Sequence, residues 1–380
     1  MSALLPAPGA RIVVAMSGGV DSSVAAALLV EQGYDVVGIS LRLAEERPGR
    51  SSGCCSLEDF QDAARVADSL GVPHYVFDMR EAFAREVISP FVEEYLAGRT
   101  PSPCILCNRS IKFSALRRRA AELGADWVAT GHYARRDHDG GCFRLLRGKD
   151  AGKDQSYFLF ELNQAALAHT LFPVGELTKD EVRAYAAAHD VATAAKADSQ
   201  EICFVPDGRY ADFVESVAGD RKRAGLVVDG DGNELGRHDG VHRFTVGQRR
   251  GLGIAGSEPL YVDSVDAVTA TVRVATRAAL RRGGLVADGV VWTSGRPEPD
   301  GARVDARIRY RHRGVSSTVH TGSNGNVELR FEEPQYAVAP GQAVVFYRGD
   351  QVIGGGWIRE SLPCPSGSAD AAVAQRPAVH

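Results

Sequence analysis

Apolar residues in the first half of the chain occur in short unbroken runs, each followed by a stretch with helical spacing. Residues Arg11–Met16 and Asp35–Leu43 fit buried strands, and Val24–Val30 fits the apolar part of a helix. Ser56–Asp59 has the pattern of a capping box, which predicts the start of another helix. Strands that alternate with helices predict an α/β fold, a parallel sheet with helices on both faces, over residues 10–205.

The pattern changes after about residue 205, where glycine- and aspartate-rich turns separate short β-type runs. We expect a small, mostly β central domain over residues 206–283. Beyond about residue 284 alternation dominates, which predicts a C-terminal β-barrel over residues 284–362. The β-type runs are Val304–Tyr310, Val327–Phe331 and Ala343–Tyr347. Residues 363–380 are rich in proline, serine and alanine without periodicity, which predicts a disordered tail.

Charge and composition indicate which classes of protein the chain fits and which it does not. The chain has 44 basic and 48 acidic residues, a formal charge of −4, and seven cysteines. It has neither a run long enough to span a membrane nor a secretory signal pattern, and an odd cysteine count argues against a disulfide framework, so we expect a cytoplasmic protein. The basic residues cluster, most densely in Gly98–Arg119 and Arg303–Arg313. Each cluster alone fits a solvated face, but several together make a polyanionic partner plausible.

A glycine- and serine-rich loop lies between the first predicted strand and helix. Its residues are Ser17, Gly18, Gly19, Val20, Asp21, Ser22 and Ser23. Glycines allow a tight turn whose N–H groups, together with the helix N-terminus, can bind phosphate. The serines add hydroxyl donors, and Asp21 is a candidate ligand for Mg²⁺. The Lys of an ATPase P-loop is missing. The loop instead resembles the pyrophosphate-binding loop of the N-type ATP pyrophosphatases.

Two cysteine segments are candidates for sulfur chemistry. Cys104 and Cys107 lie in a proline-rich loop before a basic helix, and Cys203 lies near the end of the first domain. A helix N-terminus and the neighbouring Arg109 favour a thiolate. A buried structural role for Cys203, and half of a zinc site for the other two, are the alternatives. Cys54, Cys55, Cys142 and Cys364 are read as non-catalytic.

Together these motifs resemble the bacterial tRNA-specific 2-thiouridylase family, from residue 11 to about residue 360. The motifs that carry the resemblance are Ser17–Ser23, Gly53–Asp59, Pro101–Asn108, Ile111–Phe113, Thr130–Tyr133, Lys153–Ser156, Ile202–Phe204, Gly247–Gly253 and Arg309–Arg311. The resemblance implies a PP-loop domain of the adenine nucleotide alpha-hydrolase type. It implies a partner tRNA, the substrate ATP with Mg²⁺, and sulfur from a cysteine desulfurase or relay protein.

The reaction implied by the resemblance replaces O2 of the wobble uridine by sulfur in tRNAs for Lys, Glu and Gln. O2 would be adenylated with loss of pyrophosphate, Cys203 would carry a persulfide, and Cys107 would release the sulfur or reduce the persulfide. A Cys107–Cys203 disulfide, or sulfide set free in the pocket, would result. The flipped-out base is needed because C2 cannot be reached in a stacked anticodon.

The resemblance also assigns binding residues. Leu41 would pack at the adenine and Gly131 would meet the nucleotide. The target base would face Ser102, Pro103 and Cys104. The expected tRNA contacts are His132, Lys153, Asp154, Gln155, Arg309, Tyr310 and Gln342.

One motif departs from the family. Many relatives have Asn-Pro-Asp where this chain has Ser102-Pro103-Cys104, so the expected carboxylate is replaced by a thiol. Cys104, Cys107 and Cys203 could then hold an Fe–S cluster, although we expect no resident metal. Two other functions stay open: an adenylating ligase of the GMP-synthetase type, and a zinc- or Fe–S-containing RNA-binding protein.

Overall fold

The structure is a computed structural model that describes residues 5–45, 56–197, 202–205, 208–254, 258–322 and 324–365. Cys54, Cys55 and most of the predicted tail, from residue 366 on, lie outside the described residues. Within these ranges no helix is both long and apolar enough to cross a membrane.

A parallel sheet of five described strands organises the first region. The strands are β1 (Arg11–Ala15), β2 (Asp35–Arg42), β3 (His74–Asp78), β4 (Trp127–Thr130) and β7 (Thr170–Leu171). Their order is β3-β2-β1-β4-β7, and all pairs are parallel. The chain turns in opposite directions on leaving β1 and β4. Ligands bind at such a switch point, beyond the carboxyl ends of the two strands.

Helices cover both faces of this sheet, as the sequence predicts. They are α1 (Val20–Glu31), α2 (Leu57–Leu70), α3 (Arg80–Phe83), α4 (Ser89–Leu96), α5 (Pro103–Leu106), α6 (Leu116–Glu122), α7 (Gln164–Leu167) and α8 (Lys179–Ala188). Ile12 and Val14 pack toward α1, α2 and α8, whereas Val13 packs toward α6. Both faces of β1 are buried, which explains its unbroken apolar sequence. The capping box predicted at Ser56 and Asp59 is present.

Two segments of π-helix interrupt the regular helices. Ala84–Ile88 joins α3 to α4, and Cys107–Ala115 joins α5 to α6. Such wider turns occur often at functional sites. Cys107 is the first residue of one of the two π-helical segments among the residues described.

The rest of the chain forms two β structures. The central region contains α9 (Tyr210–Ala218) and a sheet in the order β10-β11-β8-β9, built from β8 (Gly225–Val228), β9 (Glu234–His238), β10 (Leu260–Asp266) and β11 (Thr271–Thr276). Six further strands close into a barrel through the pairing of the first with the last: β12 (Arg281–Trp292), β13 (Ala302–Arg307), β14 (Val315–Thr321), β15 (Val327–Tyr336), β16 (Ala343–Arg348) and β17 (Gln351–Leu362). The predicted fold class is confirmed.

A hairpin from the first region joins the barrel sheet. It consists of β5 (Ala134–Asp139) and β6 (Cys142–Arg147), and β6 pairs with β17 at Gln351 and Val352. The hairpin comes directly after the Thr130–Tyr133 motif. The hydrogen-bonded sheets therefore cross the predicted domain boundary, which the sequence pattern placed at residue 205.

Candidate active site

The loop after β1 has a shape that only glycine permits at one position. Gly18 has a φ of +72°, and a Cβ there would lie 2.2 Å from the carbonyl oxygen of Asp59. Gly131, which follows β4, lies equally close to the start of α1, because its Cβ would be 2.6 Å from the backbone nitrogen of Ser22. The two glycines therefore allow close backbone packing at the switch point, where the N-terminus of α1 provides N–H groups of the kind that bind phosphate.

The serines of the loop mainly hold it together. Ser22 Oγ accepts a hydrogen bond from the backbone N–H of Ser17 (3.2 Å) and donates one to the carbonyl of Gly19 (3.0 Å). Ser23 Oγ also donates to Gly19 (2.9 Å) and accepts from Thr193 (3.0 Å). Ser22 and Ser23 are buried, as is the side chain of Val20, whereas Ser17 is exposed. The Ser23 hydroxyl is thus enclosed by these two partners, and its role at the phosphate stays a prediction.

Asp21 lies in the first turn of α1 and has two close partners. Its Oδ1 accepts hydrogen bonds from the Tyr133 hydroxyl and from Lys179 Nζ, both at 2.7 Å. The ammonium group of Lys179 is almost fully buried, whereas the Asp21 carboxylate is partly exposed. Oδ2 takes no part in these two bonds.

The geometry fits a magnesium nucleotide. The described residues contain no ready-made group of three or more His, Cys, Asp or Glu side chains. Mg²⁺ is commonly held by one or two carboxylates together with substrate phosphates, so it needs no complete protein cage. Asp21, whose bonds to Tyr133 and Lys179 both use Oδ1, stays the predicted ligand.

Leu41 lies near the carboxyl end of β2, as expected of a residue close to the nucleotide. It is half-buried and packs against two hydrophobic clusters, one under the sheet and one around Cys107. Its neighbour Ser40 donates a hydrogen bond to the carbonyl of Met16 (2.6 Å). The start of the phosphate loop is thereby tied to β2.

Cys107 and Cys203 border the same hydrophobic cluster although 96 residues separate them in the sequence. Cys107 is 8% exposed, and Cys203 is half-buried. Phe204 anchors the second segment, with its ring centroid 5.5 Å from that of Phe83 and 5.1 Å from that of Phe91. Cys104 is exposed. Among the described residues no three His, Cys, Asp or Glu side chains are grouped as metal ligands, so the structure does not support the Fe–S hypothesis.

The loop expected to face the target base is held against the barrel. Ser102 and Pro103 are buried, and only Cys104 of the three is exposed. Gln342 donates from Nε2 to the carbonyls of Thr100 (2.9 Å) and Pro101 (3.2 Å). Ser102, Pro103 and Gln342 are therefore buried or engaged within the protein here, and their contacts with RNA stay predictions.

His132 and the Lys153–Gln155 segment lie between the phosphate loop and the barrel. His132 is half-buried, and its Nδ1 is 2.7 Å from the hydroxyl of Thr130. Burial lowers the pKa of His132 well below its usual value, and the positive charge of Lys112 lowers it further. The ring is therefore neutral near pH 7. Lys153 is half-buried.

Asp154, a predicted contact of the RNA, is buried within the protein. Its carboxylate is 2% exposed and accepts a hydrogen bond from Arg307 of β13 at 2.9 Å. Gln155 accepts the backbone N–H of Tyr133 at 2.9 Å. Both side chains are used inside the protein.

Arg309 and Tyr310 follow β13 on a loop that is more exposed to solvent than the residues above. Arg309 is exposed, and Tyr310 stacks on Phe158 with 4.4 Å between ring centroids. Beside this loop lies an open groove of about 510 Å³. Its walls include Arg309, Arg311, Arg313, Glu332, Glu333 and Gln335. This surface is the most accessible part of the predicted RNA contacts.

Comparison with known proteins covers nearly the whole chain. Residues 10–207 match a family model described as "tRNA methyl transferase HUP domain", residues 211–276 match "tRNA methyl transferase PRC-barrel domain", and residues 282–358 match "Aminomethyltransferase beta-barrel domain". The curated protein tRNA-specific 2-thiouridylase MnmA of Geotalea uraniireducens is 51% identical over 359 residues, covering 93% of this chain and 96% of the relative. The chain belongs to the tRNA-specific 2-thiouridylase family.

Two further members are equally similar. The MnmA proteins of Geobacter metallireducens and Solibacter usitatus are each 51% identical to this chain. The first comparison covers 93% of this chain and 97% of the relative, and the second covers 92% and 100%. The resemblance inferred from the motifs is therefore confirmed at the level of the family.

Several residues at the family site were missed from the sequence. Lys179 is the most important, since its buried ammonium group contacts Asp21 from 158 positions away. Thr178 caps the helix that Lys179 begins, a local signal visible in the sequence. Lys196 was also missed, and its Nζ lies 2.7 Å from Asp59, the residue behind Gly18. Sequence spacing gives no means of pairing such distant charges.

Proposed function

We propose that this protein is an ATP-dependent tRNA-uridine 2-sulfurtransferase that acts on the wobble uridine of tRNAs for Lys, Glu and Gln. The observation that carries the proposal is that Cys107 and Cys203 pack in one hydrophobic cluster. Leu41, the residue expected to lie at the adenine, packs against the same cluster. Near-full-length similarity to 2-thiouridylases supports the same reaction.

Activation of the base uses the phosphate loop. O2 of the uridine attacks the α-phosphorus of ATP, a P–O bond forms, and pyrophosphate leaves. The N–H groups at the start of α1 stabilise the negative charge of the departing pyrophosphate. Mg²⁺, held by Asp21 and phosphate oxygens, would neutralise further charge. The product is a uridine whose C2 carries AMP as a leaving group.

Sulfur transfer uses the two cysteines. The terminal sulfur of a Cys203 persulfide attacks C2, the C2–O bond breaks, and AMP leaves. Cys107 then attacks the Cys203 sulfur, which breaks the S–S bond, releases 2-thiouridine and forms a Cys107–Cys203 disulfide. In the alternative order, Cys107 first frees sulfide, which attacks C2. Either route oxidises the two thiols to a disulfide, which external thiols must reduce before the next turnover.

The partners follow from this chemistry. A cysteine desulfurase or a relay protein must load Cys203 with sulfur. The groove lined by Arg309, Arg311 and Arg313 supplies positive charge for the RNA backbone. We place the reaction in the cytoplasm, where reducing conditions keep the cysteines available.

The test is mass analysis of tRNA nucleosides after incubation with the protein, ATP, Mg²⁺ and a persulfide source. We expect a gain of about 16 Da on one uridine, since sulfur replaces oxygen. Pyrophosphate should be released only with a tRNA that has uridine at the wobble position. A tRNA with cytidine at that position is the matched control. Unmodified uridine in every complete reaction would contradict the proposal.

A further inference from the structure

Two consecutive residues, Asp154 and Gln155, connect the barrel to the phosphate loop. Asp154 is enclosed on all sides: Oδ1 accepts the backbone N–H groups of Gly148 (3.2 Å) and Ser156 (3.1 Å), and Oδ2 accepts Arg307 (2.9 Å). Arg147 approaches the same oxygen at 3.6 Å. A buried carboxylate with this many partners has one stable position, because any displacement leaves charge without compensation.

Arg307 connects the fixed carboxylate of Asp154 to residues 308–314, which we call the arginine loop. Its Nε donates to the carbonyl of His312 at 2.9 Å, while another nitrogen of the same guanidinium binds Asp154. The Tyr310 ring also stacks on Phe158, and the Tyr347 hydroxyl is 3.2 Å from that of Ser156. The loop that presents Arg309, Arg311 and Arg313 is thus held in place by the first domain.

Gln155 makes the connection in the other direction. It makes two hydrogen bonds with the backbone of Tyr133. Its own N–H donates to the Tyr133 carbonyl (2.8 Å), and its Oε1 accepts the Tyr133 N–H (2.9 Å). The Tyr133 hydroxyl then reaches Asp21 in the phosphate loop at 2.7 Å. Asp21 Oδ1 is also the partner of Lys179. Nucleotide phosphates and their cation arriving at this loop would act on the carboxylate that Tyr133 contacts.

We infer that Asp154 and Gln155 are positioning residues that couple nucleotide binding at the phosphate loop to RNA binding at the arginine loop. The inference rests on the proposed function, in which both ligands bind one protein. It replaces direct contact of Asp154 with RNA by an indirect role through Arg307. Coupling of this kind is reciprocal, so ATP should raise the affinity for tRNA by the factor by which tRNA raises the affinity for ATP.

The experiment measures the dissociation constant of tRNA with and without saturating α,β-methylene-ATP, which cannot release pyrophosphate. The ratio of the two constants is the coupling factor, expected at about fivefold or more for the native protein. Asp154→Asn and Tyr133→Phe, at opposite ends of the connection, should each bring the factor close to one. The double variant should lose no more coupling than either single variant, because both changes break one link.

Asp137→Asn is the matched control. Asp137 pairs with Arg144 within the hairpin β5–β6, on the surface and away from both ligand sites, so its coupling factor should stay native. Thermal unfolding identifies variants that do not fold. If Asp154→Asn is one of them, Arg307→Lys, which keeps the charge but loses the two-pronged contact, takes its place.

Two results would overturn the inference. In one, tRNA affinity of the native protein is independent of the nucleotide. In the other, Asp154→Asn weakens tRNA binding equally with and without nucleotide while Tyr133→Phe retains the native factor, which would indicate direct RNA contact by Asp154. Failure of the proposed function is separate, since it appears as absence of 2-thiouridine in the native reaction whatever the coupling factor.

Discussion

The phosphate loop and the RNA-facing surface are built in different ways. The loop is held by bonds within the first domain. Some are local, such as those of Ser22 with Ser17 and Gly19, and others come from Thr193 and Lys179 of the same domain. The predicted RNA side instead depends on contacts between the barrel and the first domain: Gln342 binds the carbonyl of Thr100, and Arg307 binds the carboxylate of Asp154. The phosphate loop is therefore preformed within the first domain, whereas the predicted RNA side is built from contacts between that domain and the barrel.

The largest expected effect comes from the cysteines that lie between these two sides. Cys203→Ala should lower the rate of 2-thiouridine formation by about a thousandfold or more, because it removes the sulfur carrier. Pyrophosphate release in the presence of tRNA should persist, since the preformed loop is untouched. Cys107→Ala should also stop turnover. Nucleoside mass analysis and a pyrophosphate assay measure the two steps separately.

Cys142→Ala is the control for this pair, because Cys142 is half-buried at the start of β6 and outside the Cys107 cluster. It should thiolate at the native rate. If Cys203→Ala formed 2-thiouridine at the native rate, a persulfide on Cys203 would not be part of the mechanism. Loss of pyrophosphate release in the same variant would show that the two sides are not separable in the way the structure suggests.

The preformed loop is tested most directly at Gly18. Gly18→Ala forces a side chain into a left-handed conformation, at a cost of about 1–3 kcal/mol, and against the Asp59 carbonyl. Gly71→Ala is the matched control, since Gly71 has a similar φ of +67° but open space around its Cβ position. We expect both variants to lose stability, but only Gly18→Ala to lose ATP binding, by about tenfold or more. Calorimetric titration with ATP distinguishes them, and equal losses of affinity would mean that the close approach at Gly18 is unimportant.

The same contrast explains what could be predicted from the sequence. Seven adjacent residues specify the phosphate loop, because glycine, serine and a helix N-terminus act locally, and the capping box at Ser56 is local as well. The alternation of β13 and β15 likewise identifies barrel strands. Local chemistry was sufficient for the fold class and for locating the loop, but not for its distant partners Lys179 and Thr193.

The remaining features depend on how domains are placed against each other. Asp154 looks like a surface residue in its polar segment, yet the docked barrel buries it against Arg307. Ser102 is enclosed because Gln342 and the backbone of Pro340 hold its loop. A polar residue suits a contact with RNA and a contact with another domain equally well. The sequence alone therefore does not distinguish the two at these positions.

A smaller effect is expected at His132, which lies between the two sides. Burial of the ring, together with the charge of Lys112, holds its pKa below the usual value, so between about pH 6.5 and the folded pKa the unfolded chain binds more protons than the native protein. This contribution to stability is present above about pH 6.5 and is lost as the pH falls, by at most about 1.4 kcal/mol per pH unit. His132→Gln should lack it. Urea unfolding from pH 7.5 to 5.5, values chosen to bracket roughly one unit on either side of 6.5, tests this, and parallel curves for the two proteins would contradict it.

The smallest effect is expected at a single arginine of the RNA-facing groove. Arg311 is exposed in that groove, so Arg311→Gln should weaken tRNA binding a few-fold and reduce the salt dependence of log affinity by about 0.7–0.9, the equivalent of one phosphate contact. Arg348→Gln, at an exposed arginine that pairs with Glu298 outside the groove, should leave the slope native. Because Arg311 acts at the docked barrel, the loss should be the same with and without nucleotide, unlike that of Asp154→Asn. A change in the coupling factor for Arg311→Gln would therefore mean that the groove itself, and not only its attachment to the first domain, responds to the nucleotide.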